Sequence, residues 1–165
     1  MHVPDYAKFA AAAGSAQPQP QAAFDALCSL AQSLIGAKLF TIMTHDARKG
    51  VASRTYSNMP DAYPVSGTKP ANETDWSRQV IQEKRTFVAN DIEGIRAVFG
   101  DYELIQSLGC ESVINVPILI DGIVAGTINC LDVAGHYTPE RVAASEALKL
   151  PGLACLLLHE RSTGA

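Results

Sequence analysis

The chain has 165 residues, of which 47% are hydrophobic and 18% charged, and a chain of this size buries enough apolar surface to fold as one domain rather than remain disordered. Its 13 basic and 17 acidic residues give a net charge of −4, so it offers no positive field for nucleic acid or for an anionic membrane surface. Cys28, Cys110, Cys130 and Cys155 form neither a CxxC pair nor a disulfide framework, and we therefore expect free thiols and a cytoplasmic location.

Residues 1–21 are predicted to form an Ala-rich arm and a linker, and residues 22–165 a single domain. The linker, GSAQPQPQ over 14–21, alternates Pro and Gln and has nothing to bury. No apolar run near the N-terminus has the length of a signal-peptide core. The apolar stretch 148–158 is interrupted by Pro151 and is too short to span a bilayer. We therefore expect no membrane segment.

The first half of the domain is predicted to contain a helix, a hairpin and a long inserted segment. Apolar residues at spacings of three and four predict an amphipathic helix that ends at Gly36. Runs rich in β-branched and aromatic residues, 39–44 and 51–57, predict a hairpin with Arg54 and Tyr56 on the same side of its second strand. The proline-containing stretch 58–71 then predicts a surface loop or lid, ahead of a helix capped by Asn72 or Thr74.

The second half is predicted to contain a strand over 86–89, two short helices and a β-hairpin over 111–132. Asp121-Gly122 is the residue pair typical of a type I′ turn. A two-residue turn at this pair places Ile114 opposite Asn129 and puts Asn115 and Asn129 on opposite faces. Since both faces are mostly apolar, the sheet needs helices on each side.

A final helix is predicted to begin at Thr138 and to kink or break at Pro151-Gly152. Its leucines surround the axis more completely than packing on one sheet requires. We therefore predict a homodimer through the first and last helices, with Leu30 and Leu34 contributed by the first. The alternative cover is the N-terminal arm, folded back as a third helix with Tyr6 and Phe9.

The segments FVANDIEGI, SLGCESVINVPILIDGIVAGTINCLD and YTPE resemble the closing pattern of the GAF domain family. RTYSNMPDAYPVSGTKP, with the downstream Trp76, is similar to the same region of small proteobacterial proteins that consist of a lone GAF domain. The resemblance covers roughly residues 22–160. It implies a GAF/PAS-like α/β fold of the α+β type, with an antiparallel sheet of five to six strands, terminal helices on one face and inserted helices and loops on the other.

The resemblance also implies a non-catalytic sensory or regulatory domain that binds a small molecule, which the sequence does not identify. The pocket is expected between the sheet and the inserted segment 63–105, with no cofactor. The histidines share no spacing that suggests metal ligation. The residues predicted to lie nearest the ligand are Arg54, Tyr63, Trp76, Glu111, Ser112 and Asn129.

Two other functions stay open at this stage. One is a thiol-dependent enzyme of the free methionine-(R)-sulfoxide reductase type, a GAF subfamily that uses cysteines in a flap loop and before the penultimate hairpin. The chain departs from that pattern because 58–76 contains no cysteine, which leaves Cys110 alone beside the strand. The other is a pure dimerisation module whose pocket is filled by side chains.

Overall fold

The computed structural model describes residues 3–65 and 67–164. The elements of the first half are α1 (Tyr6–Ala13), α2 (Gln21–Leu34), β1 (Leu39–Asp46), β2 (Val51–Ser57), β3 (Thr68–Pro70) and α3 (Asp75–Ser77), which continues as a π-helical turn (Arg78–Gln82). Those of the second half are β4 (Phe87–Ala89), α4 (Ile92–Arg96), α5 (Tyr102–Ser107), β5 (Ser112–Ile120), β6 (Ile123–Asp132), α6 (Pro139–Ala144), a 3-10 turn (Ser145–Leu148) and α7 (Lys149–Thr163).

The strands form one antiparallel sheet in the order β3-β2-β1-β6-β5-β4. One face is covered by α1, α2 and α7, which share a core with strand residues such as Phe40 and Ile128. The other face is covered by the inserted segment, whose Tyr63, Ile95 and Ile105 pack on a second core. The predicted mixed α/β fold is therefore confirmed. The sixth strand, β3, lies in the predicted loop, where three exposed residues ending in proline give no apolar alternation.

The register predicted for the β5–β6 hairpin is right at its turn and wrong in its body. Asp121 and Gly122 both have positive φ, and Ile120 pairs with Ile123 as expected of a two-residue turn. A bulge at Ala125 then shifts the pairing by one residue, so that Ile114 faces Cys130. Asn115 consequently lies directly opposite Asn129, on the same face of the sheet.

The prediction that Arg54 and Tyr56 share one side of β2 is wrong, because β2 contains a second bulge. Ile42 pairs with Tyr56, but Met43 pairs with Arg54, which leaves Thr55 as the extra residue. Tyr56 therefore packs with α2 and donates a 2.8 Å hydrogen bond to Asp25. Arg54 projects from the opposite face, toward the inserted segment.

The N-terminal arm contains α1, which packs against α2 and α7 and buries Phe9. Leu30 of α2 is buried within the chain as well and is not available to a partner subunit. The helix breaks ahead of Pro151 and not at it, because the 3-10 turn covers 145–148 and Pro151 lies in the first turn of α7, where an α-helix tolerates proline. The Ala147 carbonyl, which Pro151 cannot bond, accepts a 2.6 Å hydrogen bond from the Tyr6 hydroxyl.

The helical stretch Pro139–Thr163 is 25 residues long and is apolar enough to cross a membrane by length and composition. In the fold it packs on β5, β6 and α2 and contributes Leu148, Cys155 and Leu156 to the core. Gly152 permits this packing, because a Cβ there would lie 2.8 Å from Ile128 Cδ1 of β6 and 2.9 Å from Ile118 Cδ1 of β5. The stretch therefore serves as a core helix of the domain.

Candidate functional site

A cavity of about 350 Å³ lies between the sheet and the inserted segment, at the lower end of the volumes typical of small-molecule sites. The strand residues that line it are Leu39, Thr41, Met43, His45, Ala52, Arg54, Lys69, Pro70, Val113, Asn115, Thr127, Asn129 and Leu131. The remaining lining residues are Tyr63, Ala71, Asn72, Thr74, Trp76, Ser77, Ile81, Val98, Phe99, Asp101 and Ile105. Most of the exposed lining surface is apolar, and the polar side chains lie mainly on the sheet.

The polar groups of the cavity floor lie in neighbouring positions of three strands. Met43 at the centre pairs with Arg54 on one side and with Thr127 on the other. His45 lies two residues further along β1, on the same face, because side chains alternate along a strand. The strand pairing thus brings Arg54, His45 and Thr127 together, although they are distant in the sequence.

A chain of hydrogen bonds crosses the floor and fixes Trp76 above it. Trp76 Nε1 donates to Asn115 Oδ1 at 2.9 Å, and Asn115 Nδ2 donates to Asn129 Oδ1 at 2.7 Å. Asn129 Nδ2 donates in turn to Thr41 Oγ1 at 3.2 Å. Because each buried amide has a partner on both its oxygen and its nitrogen, this network is satisfied without a ligand.

Arg54 and Tyr63 form the second fixed group of the cavity. The guanidinium carbon of Arg54 lies 4.5 Å from the centroid of the Tyr63 ring, in cation–π geometry. Arg54 Nη1 donates to the Pro64 carbonyl at 3.1 Å, and the Tyr63 hydroxyl donates to Asp101. Burial, together with the hydrogen bond to Asp101, raises the pKa of Tyr63, so the phenol stays neutral. These contacts hold the arginine against the wall formed by the inserted segment.

Three buried side-chain atoms in the described part of the chain have no hydrogen-bond partner: His45 Nε2, Arg54 Nε and Thr127 Oγ1. All three belong to residues that line this cavity. Burial lowers the pKa of His45, so its ring is neutral near pH 7. An unpartnered buried polar group costs roughly 1–3 kcal/mol, so three such groups on one floor lower the stability of the fold.

Four of the six predicted site residues, Arg54, Tyr63, Trp76 and Asn129, line the cavity. Glu111 and Ser112 lie outside it. The Ser112 hydroxyl donates to the carbonyls of Asp132 and Val133. Ser112 is expected on the face of Asn129, but the true register places Asn129 on the opposite face, with Asn115. Glu111 accepts a 3.1 Å hydrogen bond from Gln106.

The sequence interpretation missed His45 and Thr127 as site residues. His45 was placed in a loop, but β1 extends through Asp46, and continuing the alternation of Leu39 and Thr41 would have identified it. Thr127 lies two residues from Asn129 on β6, so strand alternation from the predicted Asn129 would have identified it.

The thiols lie outside the cavity. Cys110 is fully buried in the second core and does not line the cavity, and burial raises its pKa, which disfavours the reactive thiolate. The other three cysteines are buried as well. Among the described residues, no three His, Cys, Asp or Glu side chains are grouped so that they could hold a metal ion.

Solved GAF domains share this fold. The GAF domain of an Acinetobacter phosphoenolpyruvate-protein phosphotransferase matches with a TM-score of 0.70 and 11% identity, over 96% of this chain and 93% of that one. The corresponding domain from Coxiella burnetii matches with a TM-score of 0.68 and 16% identity over the same shares. The GAF domain of a two-component sensor histidine kinase from Bacillus halodurans matches with a TM-score of 0.63 and 13% identity, over 86% and 95% of the two chains.

The comparison with curated proteins gives no match. The family model described as GAF domain matches residues 17–148, which include the sheet, the inserted segment and every residue that lines the cavity. The chain therefore belongs to the GAF domain family.

Proposed function

We propose that this chain is a non-catalytic sensory or regulatory GAF domain that binds a small cytoplasmic molecule in the cavity above β2, β1, β6 and β5. The observation that carries the proposal is the set of unpartnered polar atoms of His45, Arg54 and Thr127 on one cavity floor. A ligand with hydrogen-bonding groups that entered the cavity would offer partners to these residues, and the apolar walls would cover the rest of it.

A sensory role is supported by the similar domain of a sensor histidine kinase and by the place of the cavity in the fold. Strand β6 contributes Thr127 and Asn129 to the cavity, while its alternate residues Ile128 and Cys130 belong to the core beneath the terminal helices. Occupancy of the cavity and packing of α7 therefore depend on the same strand.

Native mass spectrometry of the full chain purified from its host tests the proposal. We expect a non-covalent adduct of metabolite size that is lost on denaturation. Ala71 is exposed at the cavity lining, so the larger ring of Ala71→Trp should obstruct the cavity and abolish the adduct.

Ala47, an exposed residue of the β1–β2 turn, provides the matched control. Ala47→Trp adds the same ring away from this cavity and should leave the adduct unchanged. Wild-type protein that carries no adduct, or an adduct that survives Ala71→Trp, contradicts the proposal.

A further inference from the structure

We infer that the ligand of this cavity is a small monocarboxylic acid with a flat apolar body, its carboxylate bound by Arg54 and Lys69 and its body placed against Trp76 and Phe99. This inference rests on the proposed function, because it names the chemical class that the same cavity takes.

The charges of the cavity favour a single negative charge. Among its lining residues, Arg54 and Lys69 are cationic, Asp101 is anionic, and His45 is neutral because burial lowers its pKa. Asp101 already accepts the hydrogen bond from Tyr63. Neither Arg54 nor Lys69 forms an ion pair with any described residue. The excess of one positive charge in an otherwise apolar cavity matches a monoanion better than a dianionic phosphate.

The orientation of the arginine favours a carboxylate. Its Nη1 is engaged by the Pro64 carbonyl, while Nε is buried without a partner. The Nε–Nη2 edge of a guanidinium presents two parallel N–H donors with the spacing of the two carboxylate oxygens. Arg54 lines the cavity and its guanidinium plane is restricted by stacking on Tyr63, so the carboxylate is expected to take this edge once Nε is uncovered.

The apolar wall opposite the sheet favours a flat body. Trp76 is fixed by its bond to Asn115, and its ring lies 6.5 Å from that of Phe99 in an edge-on arrangement. Phe99 is supported in turn by Phe87 at 6.4 Å. Fixed aromatic faces bind a ring by offset or edge-to-face contact, and the volume of about 350 Å³ limits the ligand to a small molecule.

The test uses matched acids and amides on the full chain. The probes are phenylacetate and 3-phenylpropionate, their neutral amides, and phenyl phosphate. Trp76 is the only tryptophan of the chain and lines the cavity, so its fluorescence reports occupancy directly, and calorimetry gives the affinity. We expect at least one acid to bind about tenfold or more tightly than its amide, which is the effect of a charge-assisted bidentate contact.

Two arginine variants make the assignment specific. Arg54→Gln should remove the preference for the acid over its amide. Arg96 is also stacked on a tyrosine, 5.3 Å from the centroid of Tyr102, but lies outside the cavity. Arg96→Gln should therefore leave binding of the acid unchanged.

The remaining outcomes overturn the inference. Equal affinity for an acid and its amide would show that the charge of the ligand plays no role. Tighter binding of phenyl phosphate than of the acids would contradict the preference for a monoanion. Equal losses of affinity in the two arginine variants would show that Arg54 has no specific role. Absence of binding by every probe rejects the chemical class, and the adduct test above then decides independently whether the cavity binds another kind of molecule.

Discussion

Asn115 and Asn129 face each other across β5 and β6 and share a 2.7 Å side-chain hydrogen bond. The bond joins the amide that holds Trp76 to the amide that donates to Thr41. Two polar residues that interrupt apolar strands therefore form one unit, which sets the position of an aromatic wall of the cavity.

Removal of either asparagine should expose this coupling. Asn115→Ala and Asn129→Ala should each lower the free energy of unfolding by about 1–3 kcal/mol, since each leaves a buried amide group without its partner. The double variant should lose less than the sum, by about 1 kcal/mol. Urea unfolding of the four proteins measures this, with Asn72→Ala at an exposed position as the control; strictly additive losses would show that the two amides act independently.

Two buried threonines on the cavity floor should respond in opposite ways to the same substitution. Thr127→Val removes a hydroxyl without a partner. It should leave the free energy of unfolding unchanged or raise it by about 1 kcal/mol, and it should weaken binding of the ligand. Thr41→Val removes the acceptor of the Asn129 amide and should cost about 1–2 kcal/mol. Thermal and urea unfolding of both variants decides the matter; a Thr127→Val protein as destabilised as Thr41→Val means that the Thr127 hydroxyl has a partner.

His45 should make the empty domain less stable in mild acid. Burial lowers its pKa below the ordinary value of 6.5, so the unfolded chain binds a proton more readily than the native state. Its contribution to stability is complete above pH 6.5 and is lost as the pH falls below that value. Unfolding measured between neutral and mildly acidic pH should show a smaller loss in His45→Gln than in the wild type, and identical slopes would contradict the shift. His159, whose pKa is also lowered by burial, remains in both proteins.

A side chain at Gly122, in the turn of the β5–β6 hairpin, should destabilise the fold through backbone strain alone. Gly122 and Gly100 both have open space where a Cβ would lie, but only Gly122 has positive φ, at +75°. Gly122→Ala should therefore destabilise by about 1 kcal/mol and Gly122→Val by more, whereas Gly100→Ala should have little effect. Melting temperatures test the pair, and a neutral Gly122→Val would argue against the turn.

Self-association should depend on the outer face of α7. Leu150 and Leu157 are 67% and 46% exposed and lie seven residues apart, on the same side of the helix. We predict that they form the centre of a symmetric dimer, so that Leu150→Glu combined with Leu157→Glu yields monomers in sedimentation experiments. A wild-type chain that sediments as a monomer would refute the dimer and leave α1 as the only cover for the terminal helices.

The elements that the sequence predicts correctly are those with local signals. The type I′ turn at Asp121-Gly122 and the caps at Thr74 and Thr138 each depend on the residues at one position and its immediate neighbours. The two bulges, at Thr55 and Ala125, carry no such signal. Each bulge depends on the pairing between strands that are distant in the sequence. Beyond a bulge, every residue of the bulged strand lies on the face opposite to the one that simple alternation predicts.

The candidate site inherits these limits. Tyr63 and Trp76, on the inserted segment, line the cavity as expected, because their position does not depend on strand register. Ser112 is expected beside Asn129 in an unbulged hairpin, and it lies outside the cavity because the bulge places Asn129 on the other face. Thr127 lies two residues from Asn129 on β6, so its place in the cavity lining follows from Asn129 by strand alternation. Arg54 was identified although its predicted neighbour, Tyr56, lies on the other face.

The contact of Gly152 with Ile128 and Ile118 has a consequence for how the domain would report binding. Because residue 152 has no Cβ, the backbone of α7 packs directly on the side chains of Ile128 in β6 and Ile118 in β5. Strand β6 therefore contacts the cavity with one face and α7 with the other. If a ligand displaces Thr127 and Asn129, the displacement would therefore pass through the side chain of Ile128, which lies between them on β6, to the backbone of α7. If the domain is sensory, as proposed, we expect α7 to shift when the cavity is filled.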